Sequence, residues 1–144
     1  MKKHVPLLIS FALILSTSII AQVAPPPTTV FYVGNKPVDM KAGVALGDLP
    51  RLMLKVVPDS AFAAAHPNDI KYTAYWSLYV RRGNMLRPPQ TGSTESLQGG
   101  ILGTAKKGDA ISIEIDRIIR TDANGKREKV ELGPPLKYLS IYVE

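Results

Sequence analysis

The clearest pattern in the chain is a strict alternation of apolar and polar residues over positions 69–80. The even positions are Ile70, Tyr72, Ala74, Trp76, Leu78 and Val80, and the odd positions are Lys71, Thr73, Tyr75, Ser77 and Tyr79, followed by Arg81. A period of two predicts a β-strand with one apolar face and one mixed face. Because a large aromatic side chain buries much area, Trp76 is the predicted centre of the core.

A second long strand is predicted over residues 109–120, where three isoleucines alternate with Ser112, Glu114 and Asp116. The alternation slips at Ile118 and Ile119, which predicts a β-bulge. The following stretch, residues 122–125, contains Asn-Gly and predicts a hairpin with a type I′ turn. Residues 126–132 are then a highly charged return strand, as is typical of a protected sheet edge.

The rest of the chain predicts shorter elements. Strands are expected at residues 30–33, 38–41, 51–57, 85–87 and 139–143, a single helical turn at 60–65, and a short helix weakened by glycines within 94–106. Short strands joined by turns, with at most one short helix, predict an all-β fold: a single antiparallel β-sandwich of the immunoglobulin-like kind.

The N-terminus has the pattern of an export signal. A basic start is followed by an uncharged, mostly apolar run over residues 5–20 and then by Ala21. We interpret residues 1–21 as a signal peptide cleaved after Ala21, with an uncleaved membrane anchor as the alternative. Residues 22–29 contain three prolines and are interpreted as a stiff spacer before a β-sandwich domain at 30–144. The expected location is the periplasm or the exterior.

The amino-acid composition limits the reactions and partners that the chain can have. The 144 residues include no cysteine, which excludes disulfides, thiol nucleophiles and lipid attachment through cysteine. The formal charge of +6 falls by two if Lys2 and Lys3 leave with the signal. The remaining basic surplus fits a solvated surface, an acidic partner or an anionic polymer. Nucleic acid is not an expected partner, because no recognised binding motif is present.

No catalytic, metal-binding or cofactor-binding constellation can be assembled, so the chain is predicted not to be an enzyme. His66 is the single histidine outside the signal. Glu114 and Asp116 lie about 7 Å apart on one strand face, which is better explained by solvated charges than by a glycosidase pair. A calcium loop starting at Asp122 fails because its twelfth position is Gly133 rather than glutamate.

Candidate interaction residues occur in two places. Tyr75, Tyr79 and Arg81 share the mixed face of the first long strand, where they form an aromatic and basic strip. Lys126, Arg127 and Lys129 lie on the predicted edge strand. Either group could contact a partner.

The second half of the chain resembles the C-terminal domain of GldM, also called PorM, of gliding motility and type IX secretion. The resemblance rests on "YTAYWSLYVRRGN", "AKKGDAISIEIDRIIRTDANGK" and "LKYLSIYVE" and spans residues 51–144. Ala21-Gln22 also resembles a signal-peptide end common in Bacteroidota, where this machinery occurs. The resemblance implies a periplasmic β-sandwich that binds envelope proteins and has no enzymatic role. Family members are longer and usually dimeric.

Two functions remain open. One is a non-enzymatic, exported protein-interaction module, an accessory subunit of a gliding or type IX secretion complex, with envelope proteins as partners and a homodimer as a further option. The other is a secreted binding module for an anionic polysaccharide or another envelope polymer. A membrane contact is expected only if the signal is retained as an anchor.

Overall fold

A computed structural model describes residues 25–132 and 137–144. The predicted signal peptide lies outside these residues. The strands are β1 (Thr28–Val33), β2 (Lys36–Pro37), β3 (Leu52–Val57), β4 (Lys71–Arg82), β5 (Met85–Leu86), β6 (Gln90–Gly92), β7 (Ala110–Thr121), β8 (Arg127–Val130) and β9 (Tyr138–Tyr142). Within these two ranges there is one α-helix, α1 (Ser60–Ala65), and there are two 3-10 helices, at Leu46–Arg51 and Gly100–Thr104.

The smaller sheet has the strand order β2-β1-β3. β1 pairs antiparallel with β3 along its whole length, from Thr28 opposite Val57 to Val33 opposite Leu52. Because β1 begins at Thr28, the last two residues of the segment interpreted as a spacer belong to this sheet.

The larger sheet is built around the antiparallel pair of β4 and β7, whose partners run from Lys71 opposite Thr121 to Arg81 opposite Ala110. β5 and β6 both pair with the other side of β4. β8 and β9 both pair with the other side of β7. The sheet is therefore four strands wide where β5 or β6 and β9 flank the central pair, and three strands wide at the other end, where β8 alone is added.

β7 contains the bulge that the slipped alternation predicts, but two residues earlier. Tyr75 is opposite Arg117 and Trp76 is opposite Ile115, so Asp116 is the additional residue. As a result Asp116 and Arg117 are both exposed, while Ile115 and Ile118 are both buried. The bulge changes the phase of the strand and moves Arg117 to the outer face.

The core lies between the two sheets. Its fully buried side chains include Phe31, Leu52 and Leu54 from the smaller sheet and Leu78, Val80, Ile111, Ile113, Ile115, Ile118 and Ile141 from the larger one. Trp76 is 2 % exposed, and its Nε1 donates a hydrogen bond to the Thr94 carbonyl at 3.0 Å. The predicted position of Trp76 in the core is confirmed.

Connecting segments hold the sheets together at the sides. Leu97 is fully buried, and its N–H donates to the Leu52 carbonyl at 3.2 Å. The Leu54 N–H donates to the Glu95 carbonyl at 2.7 Å. The chain between β6 and β7 therefore continues the hydrogen bonding of β3, which connects the two sheets.

The prediction of an all-β antiparallel sandwich is confirmed, with only short helices. Some local predictions were wrong. The turn after β7 is not type I′, because φ is positive at Gly125 (80°) but not at Asn124. Instead the Asp122 carboxylate accepts from the N–H groups of Asn124 and Lys126, each at 2.9 Å, and so fixes a different turn. The second strand is Lys36–Pro37 rather than residues 38–41.

The predicted helix within residues 94–106 is only a 3-10 helix over Gly100–Thr104. Gly99 and Gly100 have φ of 84° and 52°, which an α-helix cannot accommodate. In residues 25–132 and 137–144, no helix is long and apolar enough to cross a membrane.

Candidate functional site

The candidate site is the outer face of the larger sheet, which points away from the core. β4 positions Tyr75 and Tyr79 there because its even-numbered residues are buried. Both tyrosines are half-buried and Arg81 is exposed. The structure therefore places the predicted tyrosine strip on an accessible face of the sheet.

Tyr75 is held between two arginines. The Arg117 guanidinium carbon lies 4.2 Å from the centroid of the Tyr75 ring, and Arg127 NH2 lies 3.4 Å from the Tyr75 hydroxyl oxygen. Arg117 comes from β7 and Arg127 from β8, so three strands contribute to this Tyr75 cluster (Tyr75, Arg117 and Arg127). The strip and the edge strand, which the sequence suggested as separate places, meet here.

The acidic side chains of this face are already engaged. The Glu114 carboxylate lies 3.3 Å from Lys137 Nζ and accepts from the Tyr138 hydroxyl at 3.0 Å. Hydrogen bonding to Glu114 raises the pKa of Lys137 above its ordinary value. Asp116 accepts from the Ser77 hydroxyl at 3.2 Å. Glu114 and Asp116 thus have local partners, in agreement with solvated strand charges.

A shallow, mostly apolar groove lies at the other end of the face. Its volume is about 550 Å³, and Tyr79, Arg81, Leu86, Tyr138 and Leu139 are among its lining residues. Leu86 and Tyr138 are each 62 % exposed, a high value for large apolar side chains. We call this the Tyr79 groove. Exposed aromatic and aliphatic residues in a groove are typical of contact surfaces.

The other predicted residues are distributed around these two features. Arg81 lines the Tyr79 groove, about 20 Å along β4 from Tyr75. Lys129 lies on β8, where its ion pair with Glu131 at 3.9 Å is largely exposed and therefore weak. Lys126 lies in the turn before β8 and donates its backbone N–H to Asp122. Among described residues, β8 pairs with β7 alone, as an edge strand does.

Sequence reasoning missed Arg117, Tyr138 and Leu86. The signal for Arg117 was the adjacent pair Asp116-Arg117 between two isoleucines, which a bulge places on one face. The signal for Tyr138 was its alternation with Leu139 and Ile141 in the last strand. Nothing in the sequence pointed to Leu86, because its exposure depends on which strand it pairs with.

The model of the GldM C-terminal domain matches residues 25–142. The chain belongs to this family. The match confirms the resemblance stated above and extends it toward the N-terminus. No curated protein and no solved structure significantly matches this GldM-family domain.

The segment "AKKGD", which opens the most specific stretch of the resemblance, residues 105–126, has a structural role. Asp109 is 2 % exposed and accepts two hydrogen bonds from Arg82, Nε to Oδ1 at 2.8 Å and NH2 to Oδ2 at 2.7 Å. It also accepts from the Lys106 N–H at 2.8 Å. The hydrogen bonds from Arg82, and then that from Lys106, lower the pKa of Asp109 to about 2. The ion pair between Arg82 and Asp109 thus ties the last residue of β4 to the residue that directly precedes β7.

Outside the outer face, the described residues of the GldM-family domain offer few groups suited to catalysis or metal binding. His66 lines a cavity of about 460 Å³ beside α1, and its ring packs on Phe62 with centroids 4.7 Å apart. In the described ranges, no group of three or more histidine, aspartate or glutamate side chains could hold a metal ion. The outer face of the larger sheet therefore remains the best-defined candidate site.

Proposed function

We propose that this GldM-family domain is a non-enzymatic, exported interaction module that acts as an accessory subunit of a gliding or type IX secretion complex. The observation that carries the proposal is the family match over residues 25–142. In this proposal, the docking surface is the exposed outer face of the larger sheet. The Tyr75 cluster lies at one end of this face and the Tyr79 groove at the other. The proposed partners are envelope proteins, and the proposed location is the periplasm.

One feature of the structure supports an interaction role. The proposed site lies on a sheet face that no other segment of the described residues covers. It is therefore available to another protein.

The test is crosslinking of the tagged protein in envelopes of its own organism, followed by identification of the captured proteins by mass spectrometry. Recovery of gliding or type IX secretion components is expected. Replacement of Tyr75 and Tyr79 by alanine should reduce that recovery. Tyr32→Ala is the matched control, because Tyr32 lies on the smaller sheet, where Lys55 Nζ is 4.7 Å from its ring centroid. Equal loss in the control variant would remove the outer face from the proposal.

A second candidate is binding of an anionic envelope polymer. It is favoured by the basic side chains of the outer face, among them Arg117, Arg127 and Lys129. This function requires that the protein is retained on an acidic polysaccharide and that the retention weakens as salt is added. Retention that does not respond to salt would contradict it.

A further inference from the structure

Several positive charges on the outer face have no ion-pair partner among the described residues. Among the described residues, Arg81, Arg117 and Arg127 form no ion pair. Every aspartate and glutamate of the sequence lies within the described ranges, so the other residues of this sequence contribute no carboxylate side chain. Among the described residues, these arginines are therefore available to pair with a carboxylate of a partner.

The Tyr75 cluster holds two of these arginines in place. The Arg117 guanidinium stacks on the Tyr75 ring, and Arg127 points at the hydroxyl of the same ring. Tyr75 itself is paired with Arg117 of β7 and directly precedes the part of β4, Trp76–Leu78, that is paired on both sides. Because the guanidinium groups are already positioned, a ligand would lose less free energy in ordering them. A guanidinium binds a carboxylate through two parallel hydrogen bonds.

The Tyr79 groove lies about 13 Å from Tyr75 along β4, since four residues separate them in an extended strand. Its apolar lining, with half-buried Tyr79 and exposed Leu86 and Tyr138, suits an aliphatic side chain. The carboxylate in the lining, Glu114, is already engaged by Lys137 and Tyr138. An extended peptide has the same rise per residue as β4. One peptide can thus reach both features with side chains four residues apart.

We infer that the outer face binds an extended acidic segment of a partner protein. A carboxylate of the segment pairs with Arg117 and Arg127 at Tyr75, and an aliphatic side chain about four residues away fills the Tyr79 groove. The inference rests on the proposed function and gives the chemistry of its partner. A uniformly charged polymer would account for the arginines, but it has no side chain for the groove.

The probe is a fluorescein-labelled peptide of threonine and serine that carries two adjacent glutamates and a leucine four residues beyond them. Its fluorescence anisotropy is measured against protein purified after expression of the complete sequence. Replacing both glutamates by glutamine should weaken binding about tenfold, because the charge-assisted hydrogen bonds are lost. Replacing leucine by serine should weaken it about fivefold.

The protein variant is Arg117→Gln with Arg127→Gln, which should weaken binding of the glutamate peptide about tenfold. The matched control is Lys36→Gln with Lys55→Gln, which removes the same charge from the smaller sheet and should change affinity less than about twofold. Tyr75→Phe keeps the ring that stacks on Arg117 and removes the hydroxyl that Arg127 contacts. It should weaken binding less than the double arginine variant does.

Equal affinity for the glutamate and glutamine peptides would overturn the inference, whatever the stability of the arginine variants. So would binding of an acidic polysaccharide such as heparin without binding of the glutamate peptide. If the double arginine variant captures the same envelope proteins as the natural chain, acidic docking is wrong while the proposed function stands. If the peptide binds as expected but no envelope protein is captured, the proposed function fails and the acidic site stands.

Discussion

At the scale of single residues, Gly92 shows how closely the core is filled. Gly92 is opposite Trp76 in the β4–β6 pair, and a Cβ atom at this position would overlap the Trp76 ring. The absent side chain makes room for the largest side chain of the core.

Gly92→Ala should therefore destabilise the fold by about 1–3 kcal/mol, because the indole must move in a packed interior. Denaturant unfolding followed by the fluorescence of the single tryptophan measures this. Gly103→Ala is the control, since open space surrounds Gly103. A similar small change in both variants would show that the Trp76 site is more plastic than its geometry indicates.

Asp109 is a second decisive residue. Asparagine at this position keeps the shape but loses the charge that pairs with Arg82. Asp109→Asn should lower the free energy of unfolding by roughly 2 kcal/mol, as expected for charge-assisted hydrogen bonds to a buried group. The free energy is measured by urea unfolding, with exposed Asp69→Asn as the control.

The pH dependence of stability follows from the same residue. The pKa of Asp109 is about 2 in the folded protein, against 3.8 ordinarily, so the folded state favours the ionised form. The stabilisation is present above about pH 4 and is lost as pH falls toward 2. Urea unfolding between pH 5 and pH 2 should show a shallower decline for Asp109→Asn than for the natural chain. Parallel curves of unfolding free energy against pH would show that other carboxylates cause the loss of stability in acid.

At the scale of elements, the β7–β8 hairpin depends on one carboxylate. Asp122 accepts two backbone N–H groups across the turn, and β8 carries Arg127 and Lys129 to the outer face. Asp122→Ala should lower the free energy of local opening of β8 by about 1–2 kcal/mol, while β4 and β7 keep their pairing. Amide hydrogen exchange of Arg127–Val130 measures this. Exchange no faster than in an Asp69→Ala control would mean that strand pairing alone holds the hairpin.

The sequence predicts the individual strands better than it predicts how they pair in the two sheets. Periodicity identifies β4 and β7 because each has a buried face with a period of two. It does not show that β5 and β6 share one side of β4, since short strands acquire their partners through long-range packing. In the candidate site, Tyr75 and Tyr79 follow from alternation alone. Arg117 does not, because the bulge at Asp116 reverses the phase that alternation assigns.

At the scale of the whole molecule, the two sheets should unfold as one unit. The smaller sheet has three strands, of which β2 is two residues long, and Leu52 and Leu54 share a core with the larger sheet. Leu97 lies at the junction, fully buried and hydrogen-bonded to Leu52. Cooperative unfolding is expected for a single domain of this construction.

Leu97→Ala should therefore lower the stability of both sheets together, by about 2–4 kcal/mol. Trp76 fluorescence reports on the larger sheet, and amide exchange along the paired strands β1 and β3 reports on the smaller one. Leu46→Ala is the control, since Leu46 is 45 % exposed. Loss of protection in the smaller sheet at denaturant concentrations where Trp76 remains native would show two separate units.

The full-length pairing of β1 with β3 has a mechanical consequence. A pull applied at Pro25 and directed along β1 would load all six residue pairs, from Thr28–Val57 to Val33–Leu52, at the same time. Such a shear load must break several hydrogen bonds together, whereas a perpendicular load would open them one by one. The entry strand of the domain is thus suited to bear traction along its axis, and single-molecule stretching along the two directions should give clearly different rupture forces.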